Sequence, residues 1–81
     1  MRKVEWLIAR EDIKQSVRDL YIVMVARGDR ETYYVSWAAK RIAFCLSQAT
    51  GYKQYKLKRI AYEVLLAEGD QLEDQAFEGC F

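Results

Sequence analysis

The chain has 81 residues, a length that fits one small domain with a single hydrophobic core. Hydrophobic residues make up 52% of it, Pro is absent and there are only four Gly, which together exclude a disordered or linker-rich chain. The formal net charge is +1, so the total charge dictates neither a nucleic-acid nor a membrane partner.

The first predicted element covers residues 3–18. Its apolar positions between Val4 and Ile8 fit one face of a helix and the alternation of a strand equally well. Ile13 and Val17 lie four residues apart among polar neighbours, which suits an exposed helix. We therefore predict a helix over most of 3–18, with a strand as the alternative.

The next segment has the pattern of a β-hairpin, with strands at about 19–27 and 30–36. Gly28 stands at the first central position of a two-residue loop, which is typical of a type II′ turn. That turn would pair Met24 with Tyr33 and make one face of the hairpin apolar. The alternative is one long helix through 11–27, which is supported by apolar residues at helical spacing, namely Ile13, Val17, Leu20, Tyr21 and Met24.

Helical periodicity returns after the hairpin. Residues 37–50 predict a helix with Ser36 as its N-cap and Gly51 past its end. Its apolar stripe at helical spacing consists of Val35, Ala38, Ala39, Ile42, Leu46 and Ala49. Residues 53–68 predict a second helix ending before Gly69, and Asp70 begins a capping-box-like start of a short third one. The predicted fold is therefore a single α+β domain (residues 1–81) with an N-terminal helix, a central hairpin and two or three C-terminal helices.

The sequence offers little to catalysis. Histidine is absent, which removes the usual neutral-pH general base and the His-dependent nucleophile pairs. Cys45 and Cys80 lack metal-ligand spacing, and no phosphate-binding glycine loop occurs. We predict a non-enzyme without cofactor or metal. Because no export signal or membrane-spanning apolar run is evident, we expect a cytoplasmic protein with reduced thiols and no membrane partner.

Charge is distributed unevenly along the chain. Residues 27–59 contain eight basic and two acidic residues, a net charge of +6. Residues 60–81 contain six acidic residues and no basic one, a net charge of −6. The middle of the chain is therefore expected to attract an anionic partner that the C-terminal part would repel.

Two sets of residues are candidate binding surfaces. The outward face of the predicted hairpin forms an apolar strip rimmed by arginine, which suits a protein interface unless another element covers it: Tyr21, Val23, Val25, Arg27, Arg30 and Tyr34. The second set combines phosphate-neutralising bases with stacking aromatics, although a solvated helix face is the simpler explanation: Lys40, Arg41, Tyr52, Lys53, Tyr55, Lys56, Lys58 and Arg59.

The segment 32–68 resembles the ribbon-helix-helix family of dimeric DNA-binding proteins in its order of strand, helix, turn and helix. The resemblance implies that outward strand residues would read the major groove and that the second helix would present its N-terminus to phosphate. The matching positions are Thr32, Tyr34 and Ser36 on the strand, with Lys53 and Gln54 at the helix start. Long polar base-reading side chains are absent from those strand positions.

These observations predict a non-enzymatic intracellular binding protein that engages a protein or nucleoprotein partner. Small inhibitors and adaptors, including phage-encoded accessory proteins, are of this kind. The alternative is a nucleic-acid-binding transcriptional regulator of the ribbon-helix-helix type. The sequence is also compatible with a homodimer.

Overall fold

The structure, a computed structural model, describes the backbone of residues 2–79 and the side chains of residues 10–78. Helix α1 spans Arg2–Arg27, and a short 3-10 helix follows at Arg30–Tyr33. Helix α2 spans Val35–Thr50 and helix α3 spans Gln54–Gly79. Helix α3 packs against both other helices, and the bundle measures 42 × 20 × 19 Å.

One hydrophobic core runs along the bundle. Apolar positions at helical spacing place one stripe of each helix inside it, as expected for amphipathic helices. Its largest fully buried side chains come from all three helices: Val17, Ile42, Leu57 and Leu65. Helix α2 also contributes small residues, and Ala38, Ala39 and Ala43 are fully buried.

The α+β prediction is wrong, because no strand occurs between residues 2 and 79. Helix α1 confirms the helix expected over 3–18 but continues to Arg27, through the segment predicted as the first strand. The predicted second strand, 30–36, is the 3-10 helix and the start of α2. The stripe supporting the long-helix alternative is buried at four of its five positions, namely Ile13, Val17, Tyr21 and Met24.

The Gly28-Asp29 dipeptide ends a helix instead of turning a hairpin. Gly28 has φ +73°, a left-handed conformation that glycine adopts without a Cβ clash. Its N–H donates to the Val25 carbonyl and that of Asp29 to the Met24 carbonyl, each at 3.0 Å. This pair of bonds is the Schellman motif of a helix C-terminus. A positive φ at glycine serves both structures, which is why the local sequence suggested a turn.

Asp29 then begins the next element. Its carboxylate accepts from the Glu31 N–H at 3.0 Å, and its carbonyl accepts from the Thr32 hydroxyl at 2.7 Å. The first bond satisfies a free backbone donor at the start of the 3-10 helix, as an N-cap does, and the second ties the Thr32 side chain to the same residue. The connection between α1 and α2 is therefore a defined corner.

The helix predicted at 37–50 is confirmed, with its start moved. Helix α2 begins at Val35, its N-cap is Tyr34 and Ser36 lies inside it. Gly51 ends it at φ +79°, as the sequence predicts. Helix α3 runs unbroken through Gly69, so the separate terminal helix at Asp70 is not formed.

Candidate partner-binding surface

Helix α2 presents two aromatic side chains to solvent on the side away from the core. Trp37 is 53% exposed and Phe44 is 49% exposed. They lie seven residues apart, or two helical turns, and Arg41 lies between them. At about 100° per residue this line is opposite the buried stripe through Ile42 and Leu46. We call Trp37, Lys40, Arg41 and Phe44 the α2 outer face.

The α2 outer face lines a groove of about 470 Å³. Glu31 from the 3-10 helix and Gln54 from the first turn of α3 complete its walls. The groove therefore runs along α2, with the corner before this helix contributing Glu31 and the start of α3 contributing Gln54. It combines an apolar aromatic floor with amide, carboxylate and cationic groups, which is the composition of a recognition surface.

Tyr34 extends the aromatic surface at the start of α2. Its ring meets that of Trp37 edge to face, with ring centroids 4.7 Å apart and planes inclined by 65°. Such pairs are favoured because the positive ring edge meets the negative ring face. The contact orients Trp37 although half of its surface faces water, so its ring is partly preorganised for a partner.

The cations of this surface outnumber its carboxylates. Lys40 and Arg41 both line the groove, and Glu31 is the only acidic residue among its described lining residues. Arginine beside exposed aromatic rings can pair with a carboxylate through its fork and stack on a planar group. The surface is therefore suited to an anionic or mixed polar and aromatic partner.

The strip predicted from the hairpin does not exist as one surface. Tyr21 is 2% exposed, whereas Val23 is 44% exposed, because residues two apart on a helix point to different sides. Val25 is partly buried against the core. Arg27 and Arg30 are exposed near the corner. Of the six predicted residues, Tyr34 alone reaches the aromatic surface of α2.

The eight predicted nucleic-acid candidates are all exposed. Lys40 and Arg41 belong to the α2 outer face, whereas the other six lie in the turn after α2 and the first turns of α3. Tyr55, Lys56 and Arg59 line a second groove of about 370 Å³ with Arg10, Ile60 and Glu63. The strand of the ribbon-helix-helix resemblance is absent from the described chain, so its groove-reading role for Thr32, Tyr34 and Ser36 has no structural basis.

Polar pairs join α1 to α3 on the other side of the bundle. Arg18 donates to the Glu68 carboxylate from Nε at 2.8 Å and from Nη2 at 3.2 Å. This interaction is the main cause that lowers the pKa of Glu68. Tyr21 donates to Glu73 at 3.0 Å. Burial, followed by this hydrogen bond, raises the pKa of Tyr21 to about 12. These groups are engaged within the fold and are not free for a partner.

Sequence reasoning missed the two aromatics that define the surface. Neither Trp37 nor Phe44 is among the candidate residues predicted from the sequence. A usable signal was present, because both residues lie off the apolar stripe predicted for 37–50 and share one face at a spacing of seven. Large aromatics that repeat on the polar side of an amphipathic helix indicate a contact surface.

The described part of the chain adds two negative findings. It contains no group of three or more His, Cys, Asp or Glu side chains placed to hold a metal ion. Its helices include no stretch with the length and hydrophobicity needed to cross a bilayer.

Comparison of the chain with protein-family models, curated proteins and solved structures finds no match.

Proposed function

We propose that this chain is a non-enzymatic binding protein that captures a protein or nucleoprotein partner on the α2 outer face. The observation that carries the proposal is the pair Trp37 and Phe44, each about half exposed on one helix face with Arg41 between them. Tryptophan, tyrosine and arginine are the residue types that most often dominate binding energy at protein interfaces. A groove bordered by Glu31 and Gln54 adds polar groups that can fix a partner's orientation.

An inhibitor or adaptor role fits this surface best. The residues of the α2 outer face are exposed while the opposite side of the same helix holds the core. A partner can therefore bury Trp37 and Phe44 without any rearrangement of the bundle, which keeps the entropic cost of binding low. The proposal includes a cytoplasmic location and a role of the phage-accessory type, in which a small protein occludes a partner's surface.

Nucleic-acid binding is the second candidate. It is supported by the exposed bases and tyrosines of the turn after α2 and the first turns of α3. These residues would neutralise phosphates and stack on unpaired bases. In that case affinity falls steeply with salt, with a log-log slope of about one unit per phosphate contact.

The test is affinity purification from the native cell with the tagged chain, with and without nuclease. We expect a partner that survives nuclease treatment and is lost from the double variant Trp37→Ser/Phe44→Ser. The matched control is Val23→Ser, which removes an apolar side chain of similar exposure from α1. Circular dichroism of each variant verifies that the helices remain.

Three outcomes separate the candidates. A nuclease-resistant partner lost only from the double variant supports the main proposal. A partner lost on nuclease treatment, and from a Lys53→Glu/Lys58→Glu variant, supports the nucleic-acid candidate. Equal capture by the wild type and the double variant contradicts the assignment of the α2 outer face.

A further inference from the structure

Helix α3 has an outer face that neither α2 nor the described side chains of α1 cover. Arg59, Tyr62, Leu66 and Asp70 follow one another at spacings of three and four residues, which places them on one side of the helix. We call these four residues the α3 outer face. The buried residues Leu57, Ile60, Ala61, Val64 and Leu65 occupy the opposite side of the same turns.

The middle of this face is apolar and accessible. Leu66 is 61% exposed and Tyr62 is 42% exposed, one turn apart. Gly69 lies one turn further on, and a Cβ placed there would meet no atom within 4 Å. A second helix could therefore approach the backbone of α3 closely at this point.

Charge is segregated along α3. The first turns, residues 54–59, carry three bases and no acid, and residues 60–79 carry six acids and no base. Arg59 and Asp70 stand at the two ends of the α3 outer face, eleven residues or about 16 Å apart along the helix. That separation is too large for them to pair within one chain. A helix of the same sequence running in the opposite direction offers each of them its complement.

We propose that the α3 outer face is the interface of an antiparallel homodimer with its two-fold axis near residue 64. In an antiparallel pair of helices, the residue numbers of facing residues have a constant sum. This condition is nearly met here, so one register joins Arg59 to the partner copy's Asp70 and Tyr62 to the partner copy's Leu66. The isologous arrangement makes every contact twice, as a closed two-fold dimer requires. Two apolar layers form the centre and two charge pairs form the rim.

The carboxylate nearest the axis is paired within its own chain. Glu63 would lie close to the same carboxylate of the other copy across the two-fold axis, where like charges destabilise an interface. Its carboxylate accepts from Arg10 at 3.2 Å within its own chain. The intramolecular ion pair therefore reduces the like-charge repulsion that the antiparallel register would face.

The dimer does not depend on the proposed function. It uses the outer side of α3, whereas the partner surface consists of α2 residues. The two assignments can fail separately, because a variant of the α3 outer face leaves Trp37 and Phe44 in place.

The test measures mass by sedimentation equilibrium over a concentration series at about 0.05 M and about 0.5 M salt, between which charge pairs are increasingly screened. The wild type is expected to dimerise, and more weakly at the higher salt. Arg59→Asp and Asp70→Arg each place like charges together and should weaken the dimer at least about tenfold. An equimolar mixture of the two variants should form a heterodimer, because each variant then meets the opposite charge. The combined variant Arg59→Asp/Asp70→Arg should form a homodimer by itself.

Matched variants keep the result specific. Arg30→Asp makes the same charge change at an exposed site outside α3 and should leave the dimer intact. Leu66→Asp should abolish the dimer, whereas Val23→Asp on α1 should not. A wild type that stays monomeric at low salt overturns the proposal and leaves this face to another partner. Failure of the mixture to recover the dimer overturns the antiparallel register.

Discussion

Helix α3 forms one seam with α2 and another with α1, and the two seams are built from different chemistry. Helix α2 packs through small and branched apolar residues, and Ala38, Ala39 and Ala43 are completely buried. The α1 seam adds polar pairs to its apolar stripe, namely Arg10–Glu63, Arg18–Glu68 and Tyr21–Glu73. The stability of the α2 seam therefore depends on how well its apolar side chains fit together, whereas the stability of the α1 seam also depends on pH and salt. Distinct perturbations should separate them.

Deleting a large side chain from the α2 seam should have the largest effect. Ile42 is 1% exposed, so Ile42→Ala leaves a cavity and should cost about 2–5 kcal/mol of unfolding free energy. Urea unfolding followed by circular dichroism measures the change. Phe44→Ala on the exposed side of the same helix is the control, and an equal loss there would contradict the assignment of inner and outer faces.

Enlarging a small residue in the same seam should cost somewhat less. Ala39→Leu adds volume where the site is fully buried, and overpacking of this kind costs about 1–3 kcal/mol. Ala49→Leu makes the same change at an exposed position of α2 and should stay within about 0.5 kcal/mol of the wild type. If both variants unfold at the same urea concentration, α2 does not approach its neighbours closely.

Alkaline pH should weaken the α1 seam through Tyr21. Its pKa is raised to about 12 in the fold by burial and by the bond to Glu73, against about 10 for an unperturbed tyrosine. The folded state holds this proton more tightly, so the contribution is fully present below pH 10 and is lost as the pH rises towards 12. Tyr21→Phe should remove the bond at a cost of about 1 kcal/mol.

Unfolding free energies of the wild type and Tyr21→Phe at pH 9 and pH 11.5 measure this difference. The wild type should lose more stability than the variant between the two values. The same loss in both proteins would show that Tyr21 ionises as freely in the fold as in the unfolded chain.

Acid should have the smallest effect on this seam. The bond from Arg18 lowers the Glu68 pKa below its ordinary 4.5, so the pair stabilises the fold above that pH and is lost as the pH falls below it. Both side chains remain accessible to water, which holds the contribution below about 1 kcal/mol. Unfolding free energies at pH 6 and pH 3 should therefore fall slightly less for Glu68→Gln than for the wild type. A larger fall in the variant would contradict the pairing.

The sequence predicted the helix with the clearest periodicity. Ala38, Ala39, Ile42 and Leu46 were expected on the buried stripe of 37–50 and are buried, whereas Ala49 is exposed in the last turn. Periodicity sufficed because local pattern and tertiary packing agree along most of this helix.

The segment 19–36 was predicted wrongly because two signals conflicted. Its β-branched residues suit a sheet, but strand preference is a weak indicator that packing overrides. The stripe through Ile13, Val17, Tyr21 and Met24 needed α3 as its partner, and nothing local identifies that partner. Gly69 led to a helix end that the structure does not have, for a similar reason. A glycine inside a helix costs about 1 kcal/mol, and this cost is tolerated when long-range packing supports the helix on both sides.

The candidate surface was predicted only in part. The bases of the second set are exposed to solvent, as lysine and arginine usually are, and their role in nucleic-acid binding stays a prediction. Trp37 was not among the predicted candidates, although helix α2 directs its side chain to solvent next to Arg41. The error in one segment therefore moved the centre of the proposed binding surface from the hairpin to α2.

The most direct test is nuclear magnetic resonance of residues 20–36, because the α2 outer face requires this segment to be helix and corner. A helix that ends at Arg27 predicts short Cα(i) to amide(i+3) proton distances from Leu20 to Arg27, and a break in this series of contacts at Gly28. Contacts between Met24 and Tyr33 across paired strands, with extended-chain shifts on both sides of Gly28, would contradict it.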